Sequence, residues 1–448
     1  MASKLAKPSL LRTVTQRNYA AQAAAAASQP SSYTLAKHEP KVTTLPSGAV
    51  VASLENNSPV SRVGLLFKAG SRYESAKNLG VSHMLRSTVG LATDNMSSFA
   101  VIRTIQQGGG SLSAESGREH IVYSLDFNRD NLDAGLEVLS SVGTQPTFKP
   151  WEVQDNLQRI NTDLALRDPS TITMELLHAA AFRNTGLGNS LFVPPHHLGK
   201  ISSDMLKNFM ASTHLAGRMA VVGLGVDHDA LFKYASSLVG AGGEGVAGPA
   251  AYGGGELRHE TGAAVTLVAV AGASASLGSK ESVALAVAQQ ILGVGPGTKY
   301  GSNASSVLAN AVASSGGLGA ASSININYSD AGLFGYFVMA DSASVEKVVR
   351  GVHGVVQNLK ATDADVKQAK NRVKAAILMA SESGAEFLTD MGLQALLTGK
   401  FVSPAEAAAA VDAVTPADVD SALQKVMGGK LSMSVVGSTS EVPYVDQL

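Results

Sequence analysis

Side chains able to ligate metals or attack substrates are scarce in this 448-residue chain, and their spacing narrows the chemistry further. There is no cysteine. Disulfides, thiolate zinc sites, thiolate-held iron–sulfur clusters and cysteine nucleophiles are therefore excluded. Pro194-Pro195-His196-His197 sets two imidazoles side by side, but adjacent histidines seldom share a metal without further ligands, and no acid cluster stands beside them. That segment reads as a surface loop. Gly293-Val294-Gly295-Pro296-Gly297 follows a helix-like stretch, lacks the Gly-Lys-Ser/Thr of a phosphate-binding loop and follows no strand. A helix C-cap and turn accounts for it. Gly108-Gly109-Gly110 and Gly316-Gly317 read as turns in the same way. Nothing matches a haem, flavin or nucleotide site, and no cofactor is expected.

The elements that would position any site occur twice. A strand-like run, Val63-Gly64-Leu65-Leu66-Phe67, leads through Ala69-Gly70-Ser71 to a helix-like stretch around Leu79 to Leu91. Later, Val265 to Ala271 leads through Gly272-Ala273 to a helix-like stretch from Ser279 to Leu292. Ile121 to Phe127 alternates as a half-buried strand does and precedes Leu132, Leu136 and Leu139; Gly332 to Met339 precedes Val345, Val348, Val349 and Val352. Each half then carries a long polar–apolar helix, Trp151 to Leu166 and Asp363 to Met379, the second started by Thr362 with Asp365. Each ends on a helix and a strand: Lys200-Ile201-Ser202 before Met219 to Gly223, and Val414-Thr415-Pro416 before Met433 to Gly437. Thr415 is the expected N-cap and Pro416 the first helical residue. The echoes lie about 200–215 residues apart, one domain length. An α+β fold of two homologous domains, 33–239 and 256–448, is expected, joined by the Gly/Ala-rich linker 240–255.

With 35 Lys+Arg against 36 Asp+Glu, the chain lacks the basic excess of a nucleic-acid binder. Its longest apolar tract, Ala263 to Leu277, is broken by Thr266, Gly272, Ser274 and Ser276 and falls short of the ~20 apolar residues that a membrane span needs. Residues 1–19 hold Lys4, Lys7, Arg12 and Arg17, several hydroxyls and no acid; the first acid is Glu39. Leu10, Leu11 and Val14 share a helix face from which Arg12 is absent. This is the pattern of a mitochondrial transit peptide, with cleavage expected at Tyr19–Ala20, followed by a low-complexity mature N-terminus over 20–32.

Several longer segments carry a family resemblance. They are Ala52-Ser53-Leu54-Glu55-Asn56 with Ser58-Pro59-Val60-Ser61-Arg62, Lys68 to Glu74, His178 to Asn184, Gly301-Ser302-Asn303, Tyr328 to Gly335 and the ending Val445-Asp446-Gln447-Leu448. From about Tyr33 onward the chain resembles the pitrilysin-type metallopeptidases. That group includes the mitochondrial processing peptidase subunits and the core proteins of respiratory complex III.

In active members of the group, a helix early in the first domain carries His-x-x-Glu-His. Its two histidines share a helix face and hold zinc, and the Glu serves as general base. A Glu from a later helix completes the ligand set. The matching stretch here is Ser82-His83-Met84-Leu85-Arg86-Ser87. His83 keeps the first ligand position, Arg86 stands in place of the base and Ser87 in place of the second His. No Glu occurs between Glu152 and Glu175; Asp155, Asp163 and Asp168 are shorter and would need a shifted helix. An arginine neither loses its proton nor tolerates a neighbouring cation. The resemblance thus implies a degenerate metallopeptidase homologue with vestigial positions His83, Arg86 and Ser87, no catalytic residue and no metal. Arg86 is expected to make an ordinary ion pair or, in the place of the zinc ion, to offset nearby carboxylates.

By the same resemblance, Gly293, Gly295 and Gly297 match in position the glycine-rich loop of the processing peptidase's non-catalytic subunit, where presequences are thought to enter. The implied role is structural: a peripheral subunit on the matrix side of the mitochondrial inner membrane. It would pair with the homologous core protein 1 and work beside cytochrome b, cytochrome c1 and the Rieske protein. The alternative is a non-catalytic partner in a processing peptidase that recognises presequences.

Overall fold

The computed structural model describes residues 39–238, 243, 248–295, 306–316 and 318–448. The expected presequence with Tyr19 and Ala20, the 20–32 stretch, much of the linker, Gly297 and the 301–303 segment lie outside the described residues.

The first half runs β1 (Lys41–Thr44), β2 (Val50–Leu54), β3 (Val60–Phe67), α1 (Val81–Ser87), α2 (Ser98–Gln107), β4 (Ser111–Ser116), β5 (Ile121–Asn128), α3 (Leu132–Thr144), α4 (Pro150–Asp155), α5 (Leu157–Ala165), α6 (Pro169–Phe182), α7 (Ser203–Thr213), β6 (Met219–Leu224) and α8 (His228–Ser237). The second runs β7 (Gly255–Glu260), β8 (Val265–Ser274), α9 (Lys280–Leu292), α10 (Val307–Ser314), β9 (Gly319–Asn327), β10 (Gly332–Asp341), α11 (Val345–Gln357), α12 (Asp363–Glu382), α13 (Gly384–Thr398), α14 (Pro404–Asp412), α15 (Pro416–Met427) and β11 (Leu431–Gly437). The caps follow local chemistry. Thr362 and Asp365 form a reciprocal capping box on α12, as do Thr415 and Asp418 on α15, with Pro416 at its first turn. The expected helix Trp151 to Leu166 is instead two, α4 and α5, interrupted at Asn156.

Among the described residues the sheets have strand orders β1-β2-β6-β3-β5-β4 and β7-β11-β8-β10-β9. Without β1 the two orders are the same. β2 pairs β6 in parallel as β7 pairs β11, while β6–β3 and β11–β8 are antiparallel, as are the following pairs out to β4 and β9. The sequence echoes are therefore echoes of topology, and the fold is the two-domain α+β duplication.

Each sheet is covered on one face by its own half's helices and on the other by a helix from the opposite half. α13, from the second half, lays Phe387, Leu388, Met391 and Ala395 against Leu66, Val222 and Leu224 of the first sheet. α6, from the first half, lays Leu177, Ala181 and Phe182 against Ala269, Ala271 and Leu333 of the second. β3 shows why this is possible. Leu65 faces the first half's own core and Leu66 faces α13, since successive side chains point to opposite sides. Both are fully buried, which is why Leu65-Leu66-Phe67 reads as a continuous apolar run. Approach is close: a Cβ on Gly392 of α13 would stand 2.6 Å from the Leu66 side chain.

Candidate functional site

α1 begins without a side-chain cap of its own, because Gly80 precedes it. Glu74 supplies the missing acceptors. Its carboxylate takes hydrogen bonds from the Gly80 N–H at 2.7 Å, the Ser82 N–H at 2.8 Å and the Ser82 hydroxyl at 2.5 Å. Burial pushes the Glu74 carboxyl up to about 7 against the pull of these bonds. Gly80 adopts φ +87°, and a Cβ there would lie 2.6 Å from the Val193 backbone. The close packing brings the Val193 strap against the next residue of interest.

His83 is fully buried. Its Nδ1 accepts the Val193 N–H at 3.3 Å, so the ring proton sits on Nε2. Nε2 points toward Asp163, with Oδ2 at 3.7 Å, too far for a direct hydrogen bond. Burial, aided by Arg86 and opposed by Asp163, pulls the imidazole down to about 4, so it is neutral near pH 7. Of the three aspartates considered from sequence, Asp163 on α5 is the one that reaches His83.

Ser87 is committed to structure. Its hydroxyl donates to the Met84 carbonyl at 2.8 Å and accepts from Asn156 Nδ2 at 2.7 Å. It thus ties α1 to the break between α4 and α5. Arg86 is half-buried and lies over the Phe192 ring, 6.0 Å from its centroid, with Arg167 over the same ring at 5.2 Å. Arg159 donates to the Ser87 carbonyl at 3.4 Å. Desolvation lowers the Arg86 pKa, while Asp163 and Glu115 raise it and Arg159 lowers it. Among the described residues no ion pair joins Arg86 to an acid, so the expected ordinary ion pair does not form.

These residues do not fit a zinc ion. A metal-bound imidazole normally donates its second ring N–H to an acceptor, leaving the other nitrogen's lone pair for the metal. His83 does the reverse: its second nitrogen accepts an amide proton, and the nitrogen facing Asp163 carries hydrogen. Ser87 is engaged elsewhere and Arg86 brings positive charge. His196 and His197, in a short turn with rings 4.8 Å apart, are not joined by an acid either; among the described residues no three His, Asp or Glu side chains are placed to share a metal. Gly293 closes α9 with φ +110°, and its carbonyl accepts the Ser323 N–H at 2.9 Å, which fixes that turn to β9. Gly295 has φ +131° and open space around it.

A larger polar assembly joins the two halves. Arg72 grips Asp330, in the β9–β10 turn, through paired bonds of 2.7 and 2.6 Å, and also donates to Glu119 and to the Gly248 carbonyl. Glu119 accepts the Ser329 N–H at 2.9 Å and its hydroxyl at 2.6 Å. His178 donates from Nδ1 to the Met174 carbonyl and accepts the Tyr328 hydroxyl at Nε2, 2.8 Å away. A cavity of about 1020 Å³ opens beside this junction, lined by Arg118, Glu175, His178, Ile324, Tyr328 and Leu393 among others. His83, Arg86 and Ser87 do not line it. Sequence reading singled out Lys68 to Glu74, His178 to Asn184 and Tyr328 to Gly335 as segments of resemblance. It did not reveal that Arg72, His178 and Tyr328 to Asp330 meet in space.

A duplicated α+β fold with a degenerate metal motif on α1 is a peptidase-type scaffold. The family model described as Insulinase (Peptidase family M16) matches residues 50–195, and that described as Peptidase M16 inactive domain matches 200–373. The chain belongs to this family. It is 40% identical to the human (Homo sapiens) protein named Cytochrome b-c1 complex subunit 2, mitochondrial, over 91% of each chain. It is 39% identical to its Rattus norvegicus counterpart over 94% of this chain and 95% of the relative. To the Mitochondrial-processing peptidase subunit alpha of Solanum tuberosum it is 28% identical, over 91% of this chain and 83% of the relative.

Proposed function

We propose that this chain is a non-catalytic core subunit of the mitochondrial cytochrome b-c1 complex, respiratory complex III, in the position of core protein 2. The observation that carries the reading is the similarity along nearly its whole length to cytochrome b-c1 subunit 2 proteins, at higher identity than to the processing peptidase subunit. The donor set around His83 supports a role without metal-dependent hydrolysis. No described helix is long and apolar enough to cross a membrane, which is consistent with attachment through partners on the matrix side. Those partners are core protein 1, cytochrome b, cytochrome c1 and the Rieske protein. The first 19 residues serve as the import signal, cut at Tyr19–Ala20. The domains span 33–239 and 256–448.

The test is a native gel of detergent-solubilised mitochondria. Co-migration with cytochrome b and the Rieske protein is expected. Migration as a soluble heterodimer of processing-peptidase size would replace this reading with that of a presequence-recognising partner subunit. N-terminal sequencing of the mature chain checks the cleavage point.

A further inference from the structure

The cavity beside the junction of the halves is made by what the exchanged helices leave bare. α6 packs chiefly on β7, β8 and β11 and leaves much of β9 and β10 uncovered. On that face of the second sheet stand Ile324 and Ile326, two apart on β9, with Phe337 on β10. Met174 of α6 and Leu393 and Leu397 of α13 form further walls. Leu277 and Val402, both exposed, border the same space. A volume of about 1020 Å³ is ample for a small molecule. Apolar walls offer water few partners and favour an apolar occupant.

The charges on the wall are matched, with one exception. Arg118 is paired with Glu175 and spends its remaining donors on the Leu187 and Asn189 carbonyls. Glu119 is paired with Arg72. His178 has both ring nitrogens engaged, and burial keeps it and His120 neutral near pH 7. Asp390, on α13, accepts a hydrogen bond from Gln394 Nε2 at 2.9 Å and forms no ion pair among the described residues. Desolvation raises its carboxyl above the ordinary range, against the pull of Gln394. A partly desolvated carboxylate without a counter-charge is a group that a cation stabilises. An anionic head would find no free cation on this wall.

We propose that this cavity binds a small amphiphile with a single ammonium head and an apolar body, the head on Asp390 and the body on Ile324, Ile326, Phe337, Leu393 and Leu397. The vestigial residues of α1 take no part. The site is built from this chain's own residues and stands whether or not the chain works in the cytochrome b-c1 complex.

The test uses the purified full-length mature chain and radiolabelled octylammonium in equilibrium dialysis, below the concentration at which the amine forms micelles. Octanol and octanoate at equal ionic strength are the comparison ligands. Saturable octylammonium binding is expected, with octanoate weaker. Asp390→Asn should weaken octylammonium on the order of tenfold, by loss of a charge-assisted bond, and leave octanol unchanged. This variant should melt close to the parent chain, because the residue has only an i,i+4 contact to lose. Leu397→Trp, which sets a ring in the cavity, should weaken octylammonium and octanol alike. No saturable octylammonium binding overturns the proposal. So does octylammonium binding that either substitution leaves unchanged, since the amine then sits elsewhere. An equal loss of octanol in Asp390→Asn overturns it too, because the carboxylate then acts through the shape of the cavity and not through its charge.

Discussion

Arg72 and Asp330, 258 positions apart, meet fork to fork, Nη1 to Oδ1 at 2.7 Å and Nη2 to Oδ2 at 2.6 Å. The same guanidinium also serves Glu119, which is buried. Removing Arg72 therefore strands a buried carboxylate as well as a turn. Arg72→Ala should destabilise the chain by about 3–5 kcal/mol, the range for breaking a buried pair from one side. Arg72→Lys should recover only part of this, since an ammonium cannot make the paired bonds. Denaturant unfolding measures both.

The exchange of helices predicts where a core mutation is felt. Met391 belongs by sequence to the second half but is buried against the first sheet. Met391→Ala should cost about 2–5 kcal/mol. Hydrogen exchange should speed up in β2, β3 and β6 more than in β8 or β10. Protection lost mainly in the second sheet would contradict the packing described here.

Buried neutral histidines make the fold acid-sensitive. Burial pulls His178 down to about 3, as it does His214, against an ordinary value of 6.5. The unfolded chain therefore takes up protons at these positions below pH 6.5 while the folded chain does not. Stability is full above that pH and falls as pH drops toward the folded values. By pH 5 His178 alone should cost about 2 kcal/mol. His178→Phe should be less stable at pH 7.5, having lost its bonds to Met174 and Tyr328, yet show a shallower decline in Tm between pH 7 and pH 5.

Metal chemistry should be recoverable only by rebuilding the donors. The parent chain is expected to retain no stoichiometric zinc after dialysis. A variant combining Arg86→Glu, Ser87→His and Asp163→Glu should retain about one equivalent, measured by elemental analysis, because it restores two helix-face imidazoles and a longer carboxylate. Zinc uptake by the parent chain would contradict the tautomer assigned to His83.

Much of the fold is legible in the residues because its signals are local. The alternation of Ile121 to Phe127, the apolar run ending in Phe67, and Thr362 and Thr415 with their partners each specify an element within a few positions. The break at Asn156 is not local: it is held by Ser87, far away in sequence. The exchange of α6 and α13 is hidden because an apolar helix face does not say which sheet it will cover. At the site, the identities at 83, 86 and 87 announce the loss of zinc ligands. The choice of Asp163 over Asp155 and Asp168 depends on how α5 is rotated after the break, and the His83 tautomer depends on a backbone amide 110 positions away.

The reciprocal covering of the two sheets also bears on what counts as a separable piece of this molecule. A single cut between Leu238 and Gly255 should leave the particle intact, since α6 and α13 hold each fragment to the other. Either fragment produced alone would expose one bare apolar sheet face and one homeless helix. The duplication has thus given up modularity: a nick between the halves should be tolerated, but neither half is expected to fold without the other.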